Sequence, residues 1–362
     1  MWRSWVFPAN DELAPVLFLD GGLGTSLEDK FGVKFDENTP LWSSHLLISD
    51  PETLRSCQRD FGSIPVDILL TATYQVSAEA FARTKTPDHP LGISRDDIVP
   101  FLDVAVYIAE EVKVPNAHIA LSLGPYGATM VPSQEYGGKY DAEHDSLEKL
   151  LNWHRDRFRL FDRIDRLGSR IGFIAFETVP RLDEIKAIRK LFTRASPNDF
   201  NTSSLLYGDI PFWISCVFPG DGYTLPDGSF VDQVVDALLS SDYSDITPWG
   251  IGINCTKVAK IAELVHLYES AVSRLASTGK LETQPSLVLY PDGTNGEVYD
   301  TTTKTWRAPT SQPLPMSSWE RQVADVVVHA RNQQCWRSIV VGGCCKANHD
   351  NIRRLRAIIR GT

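Results

Sequence analysis

The feature that most constrains the fold of this chain is a series of eight short apolar runs that recur along its length. They occupy residues 16–20, 67–74, 118–123, 172–177, 212–218, 249–255, 286–290 and 338–343. Such near-continuous apolar runs are typical of strands that are buried on both faces of a parallel sheet. The connecting segments 145–167, 258–275 and 348–359 space their apolar residues three and four positions apart, which predicts amphipathic helices. Eight strands that alternate with helices predict an α/β fold, the parallel eight-stranded (β/α)8 TIM barrel.

A doubly wound open sheet is the alternative architecture, and it is disfavoured by the number of strands. A barrel of this kind typically uses about 250 residues, so a chain of 362 residues must carry long loops or extra helices. Two long loops, 126–145 and 292–318, follow predicted strands. They would lie at the carboxyl-terminal face, where barrel enzymes keep their active sites. We therefore predict one domain, residues 1–362, with extended βα loops.

Charge and cysteine content limit the partners of the protein. The formal net charge is −10 and the pI about 5.3, whereas nucleic-acid-binding domains carry basic patches. We find no apolar stretch of membrane-spanning length and no signal-peptide pattern at the amino terminus. Six cysteines are too few for a disulfide scaffold in a chain of this length. We therefore expect a cytoplasmic protein with no nucleic-acid or membrane partner; nothing in the sequence predicts an oligomeric state.

Three of the cysteines lie where predicted strands end. Cys255 closes the sixth run, and the adjacent Cys344 and Cys345 close the eighth, after two glycines. Because strand ends converge on a barrel rim, we expect the three sulfurs to meet at one zinc ion. Catalytic zinc sites use three protein ligands and leave the fourth position to water or substrate. The alternative is three ordinary core cysteines, a residue type that is often buried.

Four further polar residues also end predicted strands: Asp20, Thr73, Glu177 and Asn254. A carboxylate is costly to bury unless it is paired. The amino group of a substrate would pair with Asp20 or Glu177, and a salt bridge within the rim is the alternative. The glycines after Asp20 do not complete a dinucleotide-binding fingerprint.

The histidines carry no recognised hydrolase motif. No His-Glu-x-x-His arrangement occurs, and no Gly-x-Ser-x-Gly elbow is present. His154 is followed by Arg155, Arg157 and Arg159, and this charge pattern predicts an exposed helix surface.

Six blocks of the chain resemble, in the same order, those of the homocysteine S-methyltransferase family. They are residues 20–25, 71–75, 122–128, 176–180, 252–255 and 342–345. The similarity covers nearly the whole chain, and its most specific part is the combination of Asn254-Cys255 with the Gly-Gly-Cys-Cys segment 342–345.

This resemblance implies a (β/α)8 barrel whose zinc ion is held by Cys255, Cys344 and Cys345. It implies that Asp20 and Glu177 bind the amino group of L-homocysteine. We assign Thr73 and Asn254 to the same substrate site. The implied reaction transfers a methyl group to the homocysteine thiol and gives methionine, with no catalytic residue beyond the zinc-activated thiolate of the substrate.

One position in the sequence narrows the choice of methyl donor. Betaine-using relatives carry a tyrosine in a Thr-Phe-Tyr context where this chain has Tyr74-Gln75. The chain therefore resembles the branch that uses a sulfonium donor, S-methylmethionine or S-adenosylmethionine, and the sequence does not rank these two. A sulfonium cation favours aromatic faces, which Trp42, Tyr126 or Trp306 could supply from predicted loops, although packing is the alternative role for each.

Two departures from the family and two alternative functions stay open. The segment from Tyr290 to Asp300 is longer than usual, which leaves the role of the Asp292–Asn295 loop undetermined, and Lys346 stands where an arginine is common. A betaine- or selenocysteine-type methyltransferase of the same fold is one alternative. A non-enzymatic zinc- or redox-sensing barrel is the other, and the acids at the strand ends disfavour it.

Overall fold

Eight parallel strands occupy the eight predicted runs. The computed structural model describes residues 13–36, 38–192, 210–244, 246–294, 297–300, 305–307 and 317–361. The barrel strands are β1 (Val16–Phe18), β2 (Ile68–Leu70), β3 (His118–Leu123), β4 (Phe173–Val179), β5 (Phe212–Cys216), β6 (Gly250–Lys257), β7 (Ser286–Asp292) and β10 (Ile339–Val341). A separate antiparallel hairpin, β8 (Val298–Asp300) and β9 (Thr305–Arg307), follows β7.

The strands form a ring. They pair in the order β1-β10-β7-β6-β5-β4-β3-β2, and every pairing in this sheet is parallel. A parallel bridge between Leu19 and Ile68 joins the end of β1 to β2. Strand β1 therefore pairs with β10 on one side and is joined to β2 on the other. The sheet closes on itself, which confirms the predicted barrel.

Helices connect the strands and form the outer layer. They are α1 (Leu23–Phe31), α2 (Leu46–Ser49), α3 (Pro51–Gly62), α4 (Ala78–Arg83), α5 (Val99–Val112), α6 (Leu147–Phe161), α7 (Leu167–Arg170), α8 (Leu182–Leu191), α9 (Val231–Leu239), α10 (Val258–Ser277), α11 (Trp319–Asn332) and α12 (His349–Arg360). The predicted helices at 258–275 and 348–359 are confirmed as α10 and α12. The predicted helix 145–167 is interrupted after Phe161, and Arg166 there has a left-handed backbone (φ 50°). No helix among the described residues is both long and apolar enough to cross a membrane.

Because side chains point alternately to the two faces of each strand, the strands separate two apolar cores. The inward-facing side chains fill the barrel with a small cluster that includes Leu17, Leu19, Trp213, Val288 and Tyr290. The outward-facing residues, such as Val16 and Phe18, join a much larger cluster with the helices. Strands buried on both faces explain why the sequence shows continuous apolar runs rather than alternating ones.

Helix α6 differs from its prediction. His154 and Arg157 are buried, so the expectation of an exposed surface is wrong for these two residues. The His154 ring lies 3.0 Å from a carboxylate oxygen of Glu184. The Arg157 guanidinium donates to the carbonyls of Tyr74 and Gly124 at 2.7 and 2.6 Å. Because these acceptors lie on other elements, His154 and Arg157 turn inward, whereas Arg159 on the same helix is exposed as predicted.

Two long loops lie at the carboxyl-terminal ends of the strands, as predicted. The first joins β3 to α6 and begins with a 3-10 turn, Tyr126–Thr129. The second follows β7 and contains the β8–β9 hairpin. Asn295, in the lengthened part of this loop, lies outside the described residues.

Candidate metal and substrate site

The barrel brings the three predicted cysteines together. Cys255 lies near the end of β6, and Cys344 and Cys345 follow β10 after Gly342 and Gly343. Their three sulfur atoms all lie within 4.8 Å of one another. The Cys344 and Cys345 sulfurs are 4.0 Å apart. Residues separated by about ninety positions in the chain thus present three sulfur donors at one point of the rim.

Close backbone packing holds this cluster next to the end of β1. The Gly343 amide donates to the Asp20 carbonyl at 3.1 Å, and the Gly22 amide donates to the Ala347 carbonyl at 2.9 Å. A Cβ atom at Gly22 would lie 2.4 Å from the Cys344 carbonyl oxygen, and one at Gly342 would lie 2.6 Å from that of Asp20. Only glycine permits this approach, so the paired glycines of both segments place Asp20 beside the cysteines.

Cys255 and Cys344 are paired as a disulfide in this structure, with Cα atoms 5.3 Å apart, and Cys345 is a free thiol. The bond joins cysteines of two strands and not the adjacent pair. Cys345 lines the cavity at this end of the barrel, and burial raises the pKa of its thiol to about 12. The Tyr136 hydroxyl lies 4.0 Å from its sulfur. All three sulfurs can act together as metal ligands only when the disulfide is reduced, since the thiolate is the metal-binding form.

The cysteines line a cavity of about 350 Å³ at the carboxyl-terminal face. Its acidic lining residues are Asp20, Glu28, Glu135 and Glu177, and no lysine, arginine or histidine of the described chain lines it. The start of α1, including Leu23 and Gly24, also lines it. A cavity with this lining favours a ligand that carries positive charge.

Asp20 reaches this cavity as a nearly unpaired carboxyl group. Its side chain is 5% exposed. Oδ2 accepts a hydrogen bond from the Leu70 amide at 2.9 Å, whereas Oδ1 has no hydrogen-bond partner. Burial, assisted by the negative charge of Glu177, raises the pKa of Asp20 to about 8. Its free oxygen is therefore available to accept a hydrogen bond from a ligand.

Glu177 lies on β4 and faces the same cavity. Its carboxylate accepts a hydrogen bond from the Ser122 hydroxyl, and the Tyr290 hydroxyl is a second partner. Burial raises the pKa of Glu177 to about 7, and these two hydroxyls oppose the rise. The side chain is 5% exposed, so its orientation is fixed before any ligand binds.

Thr73 and Asn254 occupy positions beside this site. Thr73 is fully buried, and its hydroxyl donates to the Ser122 carbonyl at 2.7 Å; Ser122 itself lines the cavity. Asn254 lines the cavity, but both ends of its amide are hydrogen-bonded to Thr178. Direct contact of Thr73 or Asn254 with a substrate stays a prediction.

Aromatic side chains form one wall of the cavity. Trp42, Tyr74, Tyr136 and Trp306 line it, and the rings of Trp42 and Tyr74 have centroids 6.4 Å apart. Tyr126 does not belong to this wall, because its ring stacks on His144 and its hydroxyl donates to Asp141. Of the three aromatic residues considered from the sequence, the structure thus places Trp42 and Trp306 in the cavity.

Sequence reasoning missed two residues of the cavity, Glu135 and Tyr136. Both come from the β3–α6 loop, and Glu135 is 6% exposed. The signal that could have indicated them was present, since this loop is rich in glycine, tyrosine and acidic residues. No strand end fixes their position, so no local pattern distinguishes them from neighbouring polar residues.

Comparison with known proteins agrees with this geometry. The family model described as homocysteine S-methyltransferase matches residues 17–359. This chain belongs to that family. The matched range includes all eight barrel strands except the first residue of β1, and all three cysteines. The family resemblance noted in the sequence is therefore confirmed.

Among the relatives described here, one is named for its methyl donor and two are not. Homocysteine S-methyltransferase YbgG of Bacillus subtilis (strain 168) is 27% identical, covering 96% of this chain and 95% of that protein. Homocysteine S-methyltransferase 2 of Zea mays is 29% identical, covering 98% and 91%. Betaine-homocysteine S-methyltransferase of Drosophila melanogaster is 26% identical, covering 97% and 96%. Membership in the family thus leaves the methyl donor to be argued from the site.

A solved structure shows the same fold. The metallated form of the homocysteine methyltransferase MmuM from Escherichia coli aligns with a TM-score of 0.62 at 24% identity, covering 95% of this chain and 96% of that one. At this identity the similarity supports the barrel architecture of the family.

Proposed function

We propose that this protein transfers a methyl group from a sulfonium donor, S-methylmethionine or S-adenosylmethionine, to the thiol of L-homocysteine and so forms methionine. The observation that carries the proposal is the convergence of three cysteine sulfurs within 4.8 Å beside two buried carboxyl groups in one cavity. The three sulfurs suit a metal ion that also binds a substrate thiol, and the two carboxyl groups suit the ammonium group of an amino acid. Membership in the homocysteine S-methyltransferase family supports the same assignment.

The three cysteines fit zinc. Thiolates at about 2.3 Å in a tetrahedral site lie roughly 3.8 Å from one another, and the Cys344 and Cys345 sulfurs are 4.0 Å apart. Three protein ligands are the number found in catalytic zinc sites. We assign Cys255, Cys344 and Cys345 as the ligands. A zinc ion bound there would favour the thiolate form of a coordinating substrate thiol at neutral pH.

The ammonium and α-carboxylate groups of homocysteine would be held next to the three cysteines. The free Oδ1 of Asp20 and the oriented carboxylate of Glu177 would accept hydrogen bonds from the ammonium group. The α-carboxylate would meet the first amides of α1, which line the cavity and have no acceptor within their own helix. These contacts would orient the substrate sulfur toward the cysteines.

The transfer itself requires little acid–base chemistry from the protein. The substrate thiolate attacks the methyl carbon in line, a new carbon–sulfur bond forms, and the old carbon–sulfur bond breaks. The bond electrons return to the donor sulfur, which leaves as a neutral thioether and needs no proton. The contribution of the chain is to position the two reactants and exclude water, and the aromatic wall of Trp42, Tyr74 and Tyr136 would stabilise the sulfonium cation.

The donor preference rests on Gln75. This residue lines the cavity, at the position where the betaine-using branch has a tyrosine. A sulfonium donor is therefore favoured over betaine, although one relative is named a betaine-homocysteine S-methyltransferase.

A donor panel tests the proposal. The protein would be reduced, stripped with a chelator, and assayed for methionine with homocysteine and either S-methylmethionine, S-adenosylmethionine or betaine, before and after zinc is restored. We expect turnover with at least one sulfonium donor and only after zinc is restored. Turnover with betaine alone would show that the protein belongs to the betaine-using branch of the family. Full zinc occupancy without methyl transfer from any donor would favour the sensor alternative.

A further inference from the structure

The cavity contains one more buried acidic group than homocysteine requires. Asp20, Glu177 and Glu135 each line it and are each at most 6% exposed. Glu177 contributes to the raised pKa of Asp20, so these two carboxyl groups lie within electrostatic range of each other in the shared cavity. Under the proposed function they hold homocysteine, which leaves Glu135 without an assigned ligand.

One oxygen of the Glu135 carboxyl group is an acceptor without a donor. Its Oε2 atom is buried and has no hydrogen-bond partner among the described residues. Burial raises the pKa of Glu135 to about 7, while its own backbone amide and the Ser133 hydroxyl oppose the rise. Buried polar atoms are nearly always paired. Because Glu135 lines the ligand cavity, its unpaired oxygen is open to a hydrogen-bond donor from a bound ligand.

Glu135 lies close to the sulfur cluster and to the aromatic residues of the cavity. The neighbouring Tyr136 has its hydroxyl 4.0 Å from the Cys345 sulfur. The negative charge of Glu135 contributes to the raised pKa values of both Cys345 and Tyr74. Glu135 therefore adjoins the aromatic wall and the sulfur cluster, which is where a methyl donor must lie to face the substrate sulfur.

We propose that Glu135 binds the α-ammonium group of an amino-acid sulfonium donor and thereby selects donors that carry a primary amine. This inference rests on the proposed function. The chemistry of the orphaned oxygen favours one class of donor, because an ammonium N–H group pairs a buried carboxylate with a charge-assisted hydrogen bond, which is stronger than one from a neutral group. Both S-methylmethionine and S-adenosylmethionine carry such an ammonium group. Betaine and amine-free sulfonium compounds do not, so they would leave Oε2 unpaired.

Steady-state kinetics of the zinc-loaded, reduced enzyme would test this role. Glu135→Gln keeps the shape of the side chain and removes its charge. We expect KM for S-methylmethionine to rise roughly 10- to 100-fold, the range of a lost hydrogen bond to a charged group, with KM for homocysteine and the zinc content unchanged. The inhibition constant of dimethylsulfoniopropionate, a sulfonium compound without an amine, should stay at the wild-type value.

Glu28→Gln is the matched control. Glu28 lines the same cavity but is only half-buried and lies near the cation of Lys346, so Glu28→Gln removes a cavity acid without removing the orphaned acceptor. We expect less than a threefold change in KM for S-methylmethionine. Equal losses in both variants, or an equal loss of affinity for dimethylsulfoniopropionate, would mean that Glu135 acts only through general charge. A raised KM for homocysteine alone would place Glu135 in the homocysteine site instead.

Calorimetric titration with S-methylmethionine separates this inference from the proposed function. If donor binding depends on Glu135 but no methionine forms, the proposed function is wrong and the proposed donor-binding role of Glu135 is retained. Methionine formation with donor binding that is the same in Glu135→Gln would overturn the binding site alone. If the wild-type protein neither binds nor converts S-methylmethionine or S-adenosylmethionine, both are wrong.

Discussion

Asn254 and Thr178 exchange two hydrogen bonds across the rim of the barrel. The Asn254 Nδ2 atom donates to the Thr178 hydroxyl and its Oδ1 atom accepts from the Thr178 amide, each at 2.8 Å. Thr178 and Cys255 both have left-handed backbones, with φ values of 59° and 46°, a region that is uncommon for residues other than glycine. The pair therefore ties together the two strand ends whose unusual backbones direct Glu177 and Cys255.

Removal of this pair should weaken the metal site without unfolding the barrel. Asn254→Ala leaves the Thr178 amide unpaired and frees the backbone before Cys255. We expect zinc affinity to fall about 10- to 100-fold, as for other partners that orient metal ligands, measured by competition with a chromophoric chelator. Thr178→Ser keeps the hydroxyl and amide and should bind zinc as the wild type does. Unchanged affinity in Asn254→Ala would show that the pair serves stability alone.

Loss of one sulfur should abolish both metal binding and turnover. The purified, reduced protein should contain about one zinc ion per chain, measured by metal analysis, and Cys345→Ser should contain little and form no methionine. Cys335 lies outside the sulfur cluster, so Cys335→Ser is the control and should keep its zinc. Sustained turnover by a metal-free Cys345→Ser sample would rule the mechanism out.

Glu177 should determine the homocysteine requirement and not the metal content. Glu177→Ala removes one of the two carboxyl groups assigned to the substrate ammonium ion. We expect KM for homocysteine to rise about tenfold or more, by loss of a charge-assisted hydrogen bond, while zinc content stays at one per chain. Kinetics equal to the wild type would remove Glu177 from the substrate site.

The fold and the sulfur cluster were predictable because both depend on local patterns. Each apolar run is itself a strand, and a residue that ends a parallel strand reaches the rim wherever that strand lies in the barrel. Barrel closure then converts the sequence positions of Cys255, Cys344 and Cys345 into one cluster. The predicted location of Asp20 and Glu177 follows from the same rule.

The residues that were missed depend on tertiary contacts. Glu135 is buried because a long loop folds over the cavity, and its position follows no strand or helix period. His154 and Arg157 carry a charge pattern that usually indicates a surface. They are buried because Glu184 and the carbonyls of Tyr74 and Gly124, far away in the chain, accept their hydrogen bonds. No short-range pattern contains these partners.

The buried acids should make the metal-free protein less stable as pH rises. Asp20 ionises near pH 8 in the folded protein, against a reference value of 3.8. Between these values the folded state holds a proton that the unfolded state has released, so the free energy of unfolding falls with increasing pH. Asp20→Asn removes this dependence. We expect the variant to be more stable than the wild type by about 1–3 kcal/mol at pH 8.5 and similar to it near pH 4.

Urea denaturation of reduced, metal-free samples at the two pH values would measure this effect. Glu177, with a pKa raised to about 7, should contribute in the same direction. A double variant, Asp20→Asn with Glu177→Gln, should therefore show the flattest profile. A pH dependence as steep as that of the wild type in the double variant would show that other groups are responsible.

Arg157 should be essential for the architecture of the two loops that follow β2 and β3. Its guanidinium donates to the carbonyls of Thr73, Tyr74 and Gly124, and it is 2% exposed. Arg157→Met would leave the Gly124 carbonyl oxygen unpaired, whereas the carbonyls of Thr73 and Tyr74 keep the Val76 and Gly124 amides as donors. Because one unpaired buried group costs about 1–3 kcal/mol, we expect a loss of about that size in the free energy of unfolding. Arg157→Lys keeps the charge but cannot span all three acceptors, so an intermediate loss is expected. Equal stability of the Met and Lys variants would show that the forked hydrogen-bond geometry of the guanidinium is not what stabilises these loops.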